Sequence, residues 1–133
     1  MTYQVINKLS ETQISQLVEL YKNEFWSNKR TYAGVAKMLD KSDIIVALVD
    51  ENAQLIAFAR VLSDFVYRAT IYDVIVKPTH RKMGLGAKLL DEIVHHPQLK
   101  DVEVISLFCL TEMVSFYQKW GFENVIHKTN LMY

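Results

Sequence analysis

One stretch of this chain has the residue types and spacing to do chemistry on an anion: Val74-Ile75-Val76-Lys77-Pro78-Thr79-His80-Arg81-Lys82-Met83-Gly84-Leu85-Gly86-Ala87. An apolar, β-branched run delivers the backbone to a turn with two glycines, and a helical pattern begins there. The first N–H groups of a helix have no partner within it, and the helix dipole favours negative charge at that end. Gly84 and Gly86 remove side chains that would hold a phosphate away, and Arg81 and Lys82 add positive charge. The pattern predicts an anion site, most naturally for a pyrophosphate. Two nucleotide loops do not fit. A dinucleotide fingerprint needs a third glycine where this chain has Leu89, and a P-loop needs Ser or Thr after Gly-Lys.

The elements that must position this loop are readable from the periodicity. Residues 3–6 form a short strand candidate. Ser10 and Gln13 have capping-box spacing, and Ile14, Leu17, Val18, Tyr21 and Phe25 follow at helical intervals, predicting a helix to about Glu24. A second helix is predicted over residues 32–39. Residues 44–49 and 55–62 flank the polar turn Asp50-Glu51-Asn52 and read as an antiparallel hairpin. A strand over residues 69–76 stops at Pro78, which cannot donate to a ladder. A helix carrying Leu85, Leu89, Leu90, Ile93 and Val94 runs to Pro97. A strand over residues 102–108 leads to a helix over residues 111–119, closed by Gly121 as a left-handed cap. Two short strands, over residues 122–126 and 130–132, are expected to finish the sheet. The order predicts an α/β fold with a mixed, mostly antiparallel sheet and helices on both faces.

Composition narrows the function. The 133 residues suit one domain, and half are apolar, which argues against disorder. Fifteen basic and fifteen acidic residues cancel, giving no support for a nucleic-acid partner. Cys109 is the only cysteine, so no internal disulfide can form. No secretory signal pattern opens the sequence, and no apolar run approaches a membrane span. A soluble cytoplasmic protein is expected, with no membrane partner; a homodimer is compatible with the sequence. His80, His95, His96 and His127 form no metal-binding spacing, so no metal is expected, and His95 and His96 fit a helix end.

Arg81-x-x-Gly84-x-Gly86 after a strand resembles the acetyl-CoA loop of the GNAT acetyltransferase superfamily. Phe116-Tyr117-Gln118-Lys119-Trp120-Gly121-Phe122 is similar to that family's C-terminal tyrosine–x–x–x–glycine–phenylalanine signature. The resemblance covers nearly the whole chain, including its element order. It implies a single GNAT domain over residues 1–133 that transfers acetyl from acetyl-CoA to a primary amine, by direct attack within a ternary complex. The acceptor is expected to be a small molecule. A protein lysine or N-terminal amine, or a non-catalytic acetyl-CoA sensor, are the alternatives.

Carried over by position, the resemblance implies that Val74, Ile75 and Val76 line the pantetheine arm in a splay between two parallel strands. Backbone amides from Arg81 through Lys82, Met83, Gly84, Leu85 and Gly86 to Ala87 would wrap the pyrophosphate. Tyr117 would be the general acid or sulfur contact. The family's glutamate base position is Thr70 here, which cannot serve, leaving Asp73 as a base, an amine-orienting carboxylate or a structural partner of an arginine. The asparagine that contacts the arm in many members is replaced by Leu110, with Thr111 beside it as an expected N-cap. Phe25, Trp26 and Tyr32 fall where the family shapes its acceptor pocket, and Arg60 could steer an acceptor carboxylate. Cys109 is read as structural.

Overall fold

The computed structural model describes residues 2–125 and 130–133. Five strands form one sheet in sequence order: β1 (Tyr3–Ile6), β2 (Ile44–Asp50), β3 (Leu55–Ser63), β4 (Arg68–Val76) and β5 (Val104–Leu107). The first four pair antiparallel, and β4 pairs with β5 in parallel. Short turns join β2 to β3 and β3 to β4 and impose antiparallel pairing there, whereas the β4–β5 connection carries the crossover helix that a parallel pair needs. Four helices cover the two faces: α1 (Glu11–Lys22), α2 (Tyr32–Lys41), α3 (Leu85–Val94) and α4 (Val114–Gln118).

Each face buries its own core. α1 and α2 set Leu17, Tyr21 and Val35 against Ala47, Phe58 and Ile75. On the opposite face, α3 sets Leu85, Leu89, Leu90 and Ile93 against Val46, Ala57, Ala59 and Ile71, with Tyr117 of α4 closing the edge. The indole N–H of Trp120 donates to Asp91 Oδ1 at 2.8 Å, tying the end of α4 to α3.

α1 begins with the predicted capping box: Gln13 N–H donates to Ser10 Oγ, and Ser10 N–H to Gln13 Oε1. It stops at Lys22 on Asn23, so Phe25 leaves the apolar stripe and is 73% exposed. β5 is shorter than predicted. The stretch predicted as one last helix opens with a 3₁₀ turn (Thr111–Met113), and Leu110, not Thr111, occupies its cap position without a side-chain bond. The strand expected over residues 122–126 is absent from its described part, because Phe122 packs toward Tyr117, 6.4 Å between ring centroids, and into the α3-side core. Residues 130–132 also form no strand. Ile126 and His127 lie outside the described residues.

One irregularity decides where side chains point. Between the pairs Phe58↔Ile75 and Arg60↔Tyr72, β3 advances two residues and β4 three. The extra residue is a β-bulge, and Asp73 within it has φ +58°, a left-handed conformation that Asp tolerates better than most side chains. Before the bulge, Ala69 and Ile71 face the α3 side; after it, Val74 and Val76 do, while Ile75 faces α1.

Candidate active site

The parallel ladder between β4 and β5 ends at Ile71↔Leu107. β4 runs on to Val76, whereas β5 stops and the chain turns away, so the two strands open into a wedge. A cleft of about 500 Å³ fills it, lined by residues 71–74 of β4, Leu107 at the end of β5, residues 108–110 beyond it, Met113, Tyr117, and Phe25 and Trp26 from the α1–α2 connection. Thr70 and Ser106 hydrogen-bond across the two strands at 3.3 Å, at the last paired rung but one.

The glycine loop sits where β4 ends and α3 begins. Pro78–His80 makes a 3₁₀ turn, Lys82 takes φ +64°, and Gly84 caps α3 with φ +79°. Among the described residues, no amide N–H from Arg81 to Ala87 finds an acceptor. Seven adjacent donors thus lack an acceptor among the described residues, on a turn where successive N–H groups suit an anion. The two glycines serve different needs. A Cβ at Gly84 would meet nothing within 4 Å, so its backbone conformation is what demands glycine. A Cβ on Gly86 would lie 3.3 Å from Phe116 Cζ, so Gly86 also lets α4 approach α3 closely, a role beyond baring the amides. The Arg81 side chain turns away from the open amides. It donates to Val76 O at 3.2 Å and to Glu24 Oε1 at 3.1 Å, bracketing the loop to the end of α1.

Tyr117 stands on α4 and lines the wedge while its ring is buried. Its ring packs against Phe116, 5.0 Å between centroids, and its hydroxyl bonds no described residue. Burial, with a smaller contribution from nearby Cys109, pushes its pKa up to about 12. The phenol therefore holds its proton throughout the physiological range.

Asp73 is committed to other work than the open chemistry of a base. Its Oδ2 accepts from Tyr21 Oη at 2.9 Å, Arg30 Nη1 at 2.8 Å and Arg60 Nε at 2.7 Å. Burial raises its pKa, but the hydrogen bonds and charges of the two guanidiniums outweigh this and leave it below the ordinary carboxylate value. A carboxylate so stabilised is a weak proton acceptor. Burial and Asp73 together drive the Tyr21 phenol well above its ordinary pKa. Arg30 also lies over the Tyr21 and Trp26 rings, 4.4 and 5.5 Å from their centroids.

The structure thus brings together Asp73, Val74, Tyr117, Phe25 and Trp26 around one cleft. Ile75 points to the α1 core, and Tyr32 is exposed and lines no part of the cleft. Tyr21 and Arg30 were not singled out from the sequence. Tyr21 read as a core position of α1, and Arg30 sits in a polar connection with no pattern to mark it. Phe108 read as the end of a strand, Met113 as a helix position and Leu110 as the residue in place of an arm-contacting asparagine. None was therefore expected as a cleft wall, although apolar residues just past a strand end are a usable hint. Cys109 is exposed at the rim. Among the described residues, no group of metal-type side chains is placed to hold an ion.

Comparison with known proteins agrees with this geometry. The Acetyltransferase (GNAT) family model matches residues 10–122. The uncharacterised N-acetyltransferase ycf52 of Pyropia yezoensis is 36% identical over 71% of this chain and 56% of its own length. That of Porphyra purpurea is 30% identical over 88% of this chain and 68% of its own. The chain therefore spans between about half and two thirds of these relatives. A GNAT-family crystal structure from Xanthomonas campestris superposes with a TM-score of 0.86 at 27% identity, covering 100% of this chain and 92% of that one. By model, relatives and fold alike, this chain belongs to the GNAT acetyltransferases.

Proposed function

We propose that the chain transfers acetyl from acetyl-CoA to the primary amine of a small molecule, with both reactants held in the wedge. Acetyl-CoA, the acyl donor this family uses, supplies an activated acetyl thioester. The chain's residues fit it. Amides of Arg81, Lys82, Met83, Gly84, Leu85, Gly86 and Ala87 would take the pyrophosphate. The unpaired edge of β4 beyond Ile71 would take the pantetheine arm along Val74, Ile75 and Val76. A β4 backbone N–H near Val74 would polarise the carbonyl, the kind of fixed donor that often contributes most in acyl transfer.

The new bond forms between amine nitrogen and acetyl carbon as the carbon–sulfur bond breaks. Tyr117 supplies a hydrogen bond to the leaving sulfur. With a phenol near 12 and an ordinary thiol at about 8.5, full transfer of its proton is uphill by roughly 5 kcal/mol. Its role is therefore chiefly donation to developing thiolate charge, and the coenzyme A thiolate takes its proton from water as it departs. The amine proton leaves to water, since Asp73 is held ionised and occupied. Positioning supplies much of the remaining acceleration.

The row of unpaired amides at residues 81–87, next to a cleft that Tyr117 lines, carries this reading. Titration calorimetry with coenzyme A, followed by thiol release from acetyl-CoA against a panel of small amines, tests it. Binding with turnover on an amine is expected. No binding would refute the loop assignment, and binding without turnover would point to a sensor.

A further inference from the structure

We propose that the acceptor is an amino-acid-like small molecule, a primary amine on an apolar body that also bears a carboxylate, and that Arg60, oriented by Asp73, receives that carboxylate. This rests on the acetyl-transfer reading of the same cleft.

The cleft wall is apolar and aromatic, with Phe25, Trp26 and Tyr72 among its residues, and Asp73 is its one ionisable carboxylate. That carboxylate is no counter-ion for an incoming ammonium. Two guanidiniums already share its Oδ2, so the cluster carries a net charge of +1. Arg60 spends only Nε on Asp73, and its Nη1 and Nη2 bond no described residue. They are not orphaned either, because no buried side-chain nitrogen among the described residues lacks a partner, so these two reach solvent. Arg60 is not itself one of the cleft-lining residues, but its guanidinium carbon lies 5.1 Å from the ring centroid of Tyr72, which is, and its Nε holds Asp73, which is too. A planar fork fixed at one nitrogen, with its far edge free, is preorganised for a carboxylate.

On the side of the α1–α2 connection the rim agrees in sign, Glu112 between Leu110 and Met113 being an acid on the other side. Lys29 and Arg30 stand in the connection carrying Phe25 and Trp26. Glu24, the only acid of that connection, is held by Arg81. A polycationic acceptor, such as a lysine in a basic peptide, would meet unfavourable potential here, whereas an anionic one is attracted. About 500 Å³ accommodates a small molecule beside an acetyl group.

The test compares phenylalanine with phenylalaninamide, and leucine with leucinamide, in wild type, Arg60→Gln and Arg60→Lys. The ratio of kcat/KM between acid and amide is read across enzymes, so the differing basicity of the two amines cancels. In the binding arm, calorimetry with coenzyme A present compares N-acetylphenylalanine with its amide. Wild type should bind the acid at least about tenfold more tightly, the effect of one charged hydrogen bond. Arg60→Gln should abolish that preference, and Arg60→Lys should retain part of it. Should Arg60→Gln fail to fold, the drop between wild type and Arg60→Lys is decisive.

An amide that equals the acid in wild type overturns the inference. So does a preference that survives Arg60→Gln, or a C-terminally amidated peptide with an acidic N-terminus as the best acceptor. Selective product binding without turnover on any amine overturns the acetyl-transfer reading and leaves only the Arg60 carboxylate site of this inference standing.

Discussion

The glycine loop and the Asp73 cluster hold charge in opposite ways. Residues 81–87 offer main-chain N–H groups that are contiguous in sequence, without acceptors among the described residues and indifferent to which side chains surround them. The Asp73 cluster gathers side chains from α1, the α1–α2 connection, β3 and β4, with partners 52, 43 and 13 positions away in sequence. A diphosphate is the same whatever the acceptor, so a backbone cradle suffices for it. The acceptor varies, and side chains that can be exchanged one at a time are the means to recognise it. Loop changes should therefore move coenzyme affinity, and cluster changes should move stability and acceptor use.

The largest effect that separates the two regions is expected from Asp73→Ala. It leaves Arg30 and Arg60 without their shared carboxylate and should cost about 3 kcal/mol in denaturant unfolding, toward the low end for a buried pair because Arg30 is 33% exposed. Coenzyme A affinity of the folded variant should stay within about twofold of wild type, since no loop amide is touched. Gly84→Val forces a β-branched residue to φ +79° and should weaken coenzyme A by about two orders of magnitude, the loss of one or two charged hydrogen bonds. Comparable loss from the Asp73 variant would erase the distinction.

Tyr117→Phe should lower kcat by about 30-fold while leaving coenzyme A affinity unchanged, as expected for a donor used only during reaction. Acid should erode the cluster selectively. Asp73 has its folded pKa below its unfolded one, so its stabilisation is complete above the ordinary carboxylate value and is lost as pH falls through the folded value. The stability gap between wild type and Asp73→Ala should therefore begin to close below about pH 4. Glu24→Gln should be the mildest change, under about 1 kcal/mol in unfolding, because its bond to Arg81 is largely exposed. A large effect on both ligands would show the two regions to be coupled.

The loop was legible in the sequence because its signal is local: two glycines, a strand before and an amphipathic helix after. The same holds for the Ser10 capping box and for the hairpin around residues 50–52. The bulge at Asp73 was not legible, since a run such as Tyr72-Asp73-Val74 looks like an ordinary polar interruption. Only pairing with β3 reveals the extra residue. The fate of Asp73 as an arginine partner follows from that pairing and from a loop that folds back onto it. Ser27 donates to Tyr21 O at 2.8 Å to hold that loop down, another contact with no periodic trace. Phe25 and Trp26 were expected near the acceptor from resemblance alone, and their positions at the cleft depend on α1 ending three residues earlier than Phe25.

The extra residue in β4 has a bearing on how this chain tolerates change in length. Remove one residue at positions 72–74 and β4 becomes a regular strand: Val76 still faces α3 and Ile75 still faces α1, but the left-handed bend that carries Asp73 is gone. The glycine loop would keep its place while the carboxylate shared by Arg30 and Arg60 lost its position. A residue gained or lost in the turn at residues 51–53 would instead be absorbed locally. Length variation among descendants of this sequence should therefore accumulate in the hairpin turn and be purged from the middle of the fourth strand.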